Sequence, residues 1–168
     1  MHPYAALAKQ TIEEYIRTGR KPAPPDPVPE NMALKAGAFV SLKKAGDLRG
    51  CIGTIEPVHE NLAREIIDNA IAASTRDPRF PPVSPDELAA LDISVDVLSP
   101  PEPAAGPEAL DPKRYGVIVR AGRRRGLLLP DIEGVNTAGE QIAICRRKAG
   151  IGPDEEVTLQ RFTVERHK

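Results

Sequence analysis

Over residues 3–18 apolar positions recur three and four apart, at Tyr4, Leu7, Ala8, Ile12, Tyr15 and Ile16. That spacing lines one face of a helix, with Gly19 as its stop. Residues 21–30 hold five of the chain's 18 prolines. Proline lacks the N–H that helices and central strands need, so this stretch predicts an extended strap along the surface. Residues 38–44 and 48–55 predict two strands of a hairpin around Ala45-Gly46-Asp47. Leu62, Ala63, Ile66, Ile67 and Ala70 form one stripe of a helix predicted over 57–74, with Pro57 in its first turn. Ser84 and Glu87 make a capping box for a short helix over 85–91. Residues 92–98 alternate, with Ile93, Val95 and Val97 inward and Ser94 and Asp96 outward, the pattern of a half-buried strand. The prolines of 100–112 predict an irregular connection. Strands at 116–120 and 126–129 flank a very basic turn, 121–125. Thr137 and Glu140 open a helix that runs to Ala149 and closes at Gly150. A last strand, 157–165, changes apolar phase between Leu159 and Phe162, which predicts a bulge or burial on both faces.

The order of elements is α, ββ, α, α, β, ββ, α, β. Hairpins dominate and regular βαβ alternation is absent, so the class is α+β: a mainly antiparallel sheet with helices on one face. A length of 168 residues suits a single domain, 1–168. The chain carries 23 Lys and Arg against 24 Asp and Glu, a net charge of −1, which argues against nucleic-acid binding driven by charge. No apolar run reaches the length of a membrane span. The N-terminal residues lack a basic region and turn polar at once, unlike a signal peptide. Cys51 and Cys145 therefore read as reduced thiols of a cytoplasmic protein, with a single disulfide between them left open. Neither the three histidines nor the cysteines show metal-ligand spacing. No phosphate loop or dinucleotide glycine pattern is present, and no cofactor is expected.

Candidate chemistry centres on Leu48-Arg-Gly-Cys-Ile-Gly53. Two glycines inside a strand mark a bulge or a close approach to the backbone. Arg49 and Cys51, two apart on a strand, share a face, and a guanidinium beside a thiol favours the thiolate. Against this stands a small buried cysteine with glycines that permit tight packing. His59 falls within the apolar stripe of the 57–74 helix, either as the base of a Cys–His couple or as a cap-region histidine. In Arg76-Asp-Pro-Arg-Phe80, Asp77 precedes proline and ends the helix. Either Arg76 and Arg79 line a pocket beside the glycine–cysteine strand, or Asp77 is a helix stop that accepts from backbone N–H groups or pairs locally with Arg79. Arg123, Arg124 and Arg125 on the second hairpin suit an acidic partner or simple solvation.

Leu48 to Thr54 resembles the signature of the AMMECR domain family, whose prokaryotic members are called AmmeMemoRadiSam system protein A. The likeness extends in order and spacing through 39–43, 48–57, 69–73, Asp77 to Pro82, Glu87-Leu88, 93–101, Arg124 to Pro130 and 145–150. It departs at 131–141, where the family often carries aromatic residues, and at Tyr115, where the family often has His. The resemblance implies an α+β fold of two unequal lobes, the larger holding both termini. It also implies association with a Memo-like protein, related to extradiol ring-cleavage dioxygenases, and with a radical-SAM protein. Two readings follow. One is an enzyme or enzyme subunit with Cys51 as nucleophile or substrate contact in a cleft shaped by Arg49, Gly50, Gly53, Asp77, Arg79, Phe80 and Arg124. The other is a binding or regulatory module that docks on the Memo-like protein or holds a small anionic ligand. The lack of a visible general base tips the reading toward the second.

Overall fold

Helix α1 (Pro3–Thr18) forms where the periodicity places it. Pro3 lies in the first turn, where no amide donor is needed, and His2 Nδ1 accepts the Tyr4 amide at 3.2 Å. In this computed structural model, which describes Met1–Lys168, the chain divides into two compact units. The first comprises Met1–Leu98 and Glu165–Lys168, the second Ser99–Val164. Residues 20–29 carry neither helix nor strand, and a 3-10 turn at Glu30–Met32 follows. The Tyr4 hydroxyl ties this segment to α1 by donating to the Asn31 carbonyl at 2.7 Å.

Strands β1 (Ala38–Lys44) and β2 (Asp47–Gly53) make the predicted hairpin, and β3 (Leu91–Leu98) pairs antiparallel with β1 on its other side. The first sheet has the order β2-β1-β3-β8, where β8 is Val164–His167. Its Val40, Leu42, Ile93 and Val95 pack with α1 and with α2 (Leu62–Thr75). Phe39, Ser41, Cys51 and Ser94 belong to the alternate face.

Several expectations are corrected. Helix α2 starts at Leu62, not at 57. Asn61 caps it by accepting the Arg64 amide at 3.0 Å. The fully buried Glu65 carboxylate then turns back to accept the amides of Val58 and His59 and the hydroxyl of Thr54. Those amides are satisfied by a side chain in the loop that precedes the helix. The segment at Pro85–Ala90 is a 3-10 helix; its capping box is present, with the Ser84 amide donating to Glu87 at 2.9 Å. Asp96 keeps the expected phase, opposite Phe39 on the alternate face, but is buried there, with Arg166 of β8 donating to both its oxygens at 2.7 Å. The 100–112 connection includes a short edge strand, β4 (Glu102–Ala104), and Pro103 is tolerated there because one strand side is unpaired.

In the second unit the sheet order is β4-β7-β5-β6, with β5 at Gly116–Ala121, β6 at Arg124–Leu128 and β7 at Thr158–Phe162. The hairpin turn is only Gly122-Arg123, so Arg124 and Arg125 are strand residues. Helix α3 (Ala138–Ala149) is capped by Thr137, which accepts the Glu140 amide at 3.1 Å, and ends at Gly150 as predicted. Val117, Val119, Cys145 and Ile151 form this unit's core. The phase shift near residue 160 has a topological cause. The chain leaves the second sheet at Phe162 and enters the first at Val164.

Candidate functional site

The glycine–cysteine strand is shaped by one close approach and one register shift. A Cβ on Gly50 would overlap the Ala73 carbonyl near the end of α2. What comes close to this glycine is therefore the helix backbone, and only hydrogen at that position lets α2 lie on the sheet. Beside Gly50 the pairing changes from Leu42↔Gly50 to Lys43↔Leu48, leaving Arg49 without a cross-strand partner. Such a bulge re-aims the side chain it carries. The Arg49 guanidinium goes to Glu87, with Nε–Oε1 at 2.9 Å and Nη2–Oε2 at 3.0 Å. The expected Arg49–thiol couple gives way to a bidentate carboxylate pair.

Cys51 is half-buried, and its Sγ lies 3.1 Å from the hydroxyl of Ser41, its cross-strand partner. β2 is the edge strand of its sheet, so its outer amides and carbonyls lack a neighbouring strand. At Cys51 the loop after α2 supplies the missing partners. Asp77 Oδ2 accepts the Cys51 amide at 3.0 Å, and Arg79 Nη2 donates to the Cys51 carbonyl at 3.4 Å. Asp77 also accepts from the Arg79 amide and from Nε at 3.0 Å, and from Nη2 at 2.8 Å. Pro78 holds Asp77 out of helical geometry, which ends α2 and frees the carboxylate for this role. Phe80 lies beneath two guanidinium groups, 6.0 Å from Arg49 and 5.5 Å from Arg79. Arg49, Gly50, Cys51, Asp77, Arg79 and Phe80 are thus brought together as one cluster. Gly53 sits at the end of the same strand, opposite Phe39.

The charges in this cluster compensate one another. The Arg79 guanidinium, helped by the Cys51 and Arg79 amides, holds the buried Asp77 well below the usual carboxylate range against the opposing effect of burial. Asp77 in turn raises Arg79. Arg49, with the Ser84 amide and Lys44, holds Glu87 low in the same way. An anion entering here would have to compete with two carboxylates already seated. His59 does not serve Cys51: its Nε2 is 2.5 Å from Asp68, which also pairs with Lys21. Arg124 belongs to the second unit, where it pairs with Glu155 and donates to the Gly150 carbonyl at 2.9 Å.

Residue-by-residue reading missed Glu87, Ser41 and Asp68. Glu87 was visible only as half of a capping box, a role it fills while also binding Arg49. Ser41 was visible only through register, and Asp68 only as part of a polar helix face. No group of three or more His, Cys, Asp or Glu side chains is placed to hold a metal ion. No helix is long and apolar enough to cross a membrane. Chemically, the cluster offers a half-buried cysteine whose thiol lies beside a hydroxyl, on a frame of paired charges.

Comparison with known proteins places this geometry in context. A family model described as AMMECR1 matches residues 5–167. A protein of Thermotoga maritima is 59% identical over 170 residues, covering 99% of this chain and 98% of its own length. A protein of Clostridium acetobutylicum is 56% identical over 168 residues; the match covers 99% of this chain but 36% of that relative. The crystal structure of an uncharacterized protein from Pyrococcus horikoshii superposes with a TM-score of 0.87 at 37% identity, covering 97% of this chain and 88% of that one.

Proposed function

The chain belongs to the AMMECR1 family, and from that premise we propose that it works as a binding or regulatory component alongside a Memo-like protein and a radical-SAM protein. The observation that carries this reading is the mutual compensation around Cys51. Arg49 is matched by Glu87, Arg79 by Asp77 and His59 by Asp68. Each group that could activate a thiol or receive a proton from it already has a partner other than the thiol. Nucleophilic catalysis needs a base within hydrogen-bond reach of the nucleophile, and the neighbour at Sγ is the Ser41 hydroxyl. A cluster so arranged holds a surface in shape. A second support is the Clostridium acetobutylicum relative, in which essentially the whole of this chain matches 36% of a longer polypeptide. A domain carried inside a longer protein fits a component role.

The test is direct association. The purified chain, 18.2 kDa, is mixed with the Memo-like protein of the same organism, then with the radical-SAM protein, and sized by light scattering after gel filtration. The expected result is a species whose mass is the sum of the partners. Elution of every protein at its own mass, at concentrations of about 10 μM, overturns the reading. The enzyme reading keeps one observation in its favour, the half-buried Cys51 with its sulfur beside the Ser41 hydroxyl. It gains ground if Cys51→Ser abolishes a turnover measured on the assembled proteins.

A further inference from the structure

Charge is segregated along α3. Asp131, Glu133 and Glu140 lie before or in its first turn, and Arg146, Arg147 and Lys148 lie in its last. The helix has 12 residues. At a rise of ~1.5 Å each its ends are roughly 18 Å apart, about twice the screening length at physiological salt, so the acidic end does little to neutralise the basic one.

Packing adds a second basic element to that end. A Cβ on Gly126 would overlap the Cys145 carbonyl, so glycine lets β6 close onto α3. Arg124 Nη1 then donates to the Gly150 carbonyl at 2.9 Å, and Lys148 Nζ donates to the Leu127 carbonyl at 3.0 Å. The basic start of β6, which follows Arg123 of the turn, therefore meets the basic helix end. Carboxylates follow the helix end in the chain at Asp154, Glu155 and Glu156, and Glu155 is already held by Arg124 and the Gly152 amide.

Three of these cations have work inside the fold. Arg124 pairs with Glu155, Arg146 donates to the carbonyls of Gly152 and Glu155, and Lys148 satisfies β6. Carbonyl capping and the helix dipole account for cations at such a helix end. Arg123 and Arg147 are different. Both are exposed, and neither guanidinium bonds within the chain. An open recess of about 480 Å³ beside the turn, lined by residues that include Gly122, Glu156 and Thr158, gives this end relief as well as charge.

We propose that this end of the second unit, centred on Arg123 and Arg147, docks an acidic surface of a protein partner. The proposal rests on the reading of the chain as a binding component and says where the binding occurs. A protein fits better than a nucleic acid. The chain's net charge is −1, and no aromatic residue stands between Tyr115 and Phe162 to stack a base.

The test uses the full chain and two reversed variants of equal net charge. One is Arg123→Glu with Arg147→Glu; the other is Arg17→Glu with Lys35→Glu, exposed positions in the first unit. Binding to the Memo-like protein and to poly-L-glutamate is followed by fluorescence anisotropy at low and high salt. The first variant is expected to bind each probe about tenfold or more weakly, mainly through slower association, with the second within about twofold of wild type. Equal loss in the two variants, or in neither, overturns the docking surface, and if the wild-type complex forms regardless, the component role still stands. Binding of the wild type to poly-L-glutamate but not to the Memo-like protein, with loss confined to the first variant, supports the surface and overturns the component role. Tighter binding of duplex DNA than of poly-L-glutamate overturns docking of a protein.

Discussion

The two units use the same packing device and leave different surfaces behind. In each, a strand glycine meets a helix carbonyl where a Cβ would collide: Gly50 against Ala73, and Gly126 against Cys145. Close strand–helix contact brings a functional-looking segment against a helix end both times. In the first unit each charge at that contact finds a partner, Arg49 with Glu87 and Arg79 with Asp77. In the second, Arg123 and Arg147 remain exposed and unbonded. The cysteines differ in parallel, Cys51 half-buried on a sheet face and Cys145 fully buried in a core. A segment that looks reactive in sequence can thus be the quiet one. The open valences lie at a turn, where the sequence suits an acidic partner or simple solvation, and at a helix end.

That contrast can be broken in several ways. The largest difference should be between the thiols. Native protein treated with iodoacetamide should label at Cys51, whereas Cys145, with no exposed surface and a thiol pushed up to about 11 by burial, should label at least ~100-fold more slowly unless denaturant is added. Equal rates, read by peptide mass spectrometry, would remove the contrast.

Next come the glycines. Gly50→Ala and Gly126→Ala each force a methyl group into a backbone carbonyl, and each should cost about 3 kcal/mol or more in urea unfolding. A loss below about 1 kcal/mol at either site would show that the helix can yield there.

The carboxylates at Cys51 should matter somewhat less. Asp77→Ala leaves the Cys51 amide without its acceptor and should cost about 2 kcal/mol, with Glu87→Ala at about 1 kcal/mol because Lys44 is open to water and Arg49 keeps the Pro82 carbonyl. Both carboxyls are lowered in the folded state, so their contribution is full above the ordinary carboxylate pKa of about 4 and falls as the pH drops below it. Asp77→Asn should flatten that acid limb, and an unchanged limb would contradict the assignment.

The smallest effect is at the termini. His2 and His167 stack with ring centroids 4.2 Å apart, and the His2 amide donates to the Lys168 carbonyl at 2.7 Å. Burial, then His167, lowers His2, with Glu165 opposing. Neutral His2 is the form that accepts the Tyr4 amide, so this contribution is present above about pH 6.5 and lost as pH falls below it. His2→Asn, which keeps a cap acceptor without a titrating ring, should shift the melting curve by a few degrees or less and remove its pH dependence near 6.

Local signals were legible wherever they were complete within a few residues. The α1 stripe, the β1–β2 hairpin and the Thr137–Glu140 box all appear as their spacing predicts. What failed depended on distant partners. Asp96 followed an outward phase, and no local feature announces Arg166, 70 positions on, which buries it. Pro57 suggested a helix start, but α2 begins at Leu62, and Glu65 reaches back to hold the Val58 and His59 amides in the loop before it. The candidate site shows the same limit. The grouping of Asp77, Arg79 and Phe80 with Cys51 was foreseen from two short motifs. A bulge was also signalled by the two strand glycines, but that it falls on Arg49 follows from a register that only strand pairing sets.

The central claim is that the chain binds partners and that the Cys51 thiol is not what it binds or reacts through. It is tested most directly by titrating the Memo-like protein with wild-type chain and with Cys51→Ser and comparing dissociation constants. The account predicts a complex with constants equal within about twofold, a difference of less than ~0.5 kcal/mol. Absence of a complex, or loss of about tenfold or more on replacing the sulfur with oxygen, would contradict it.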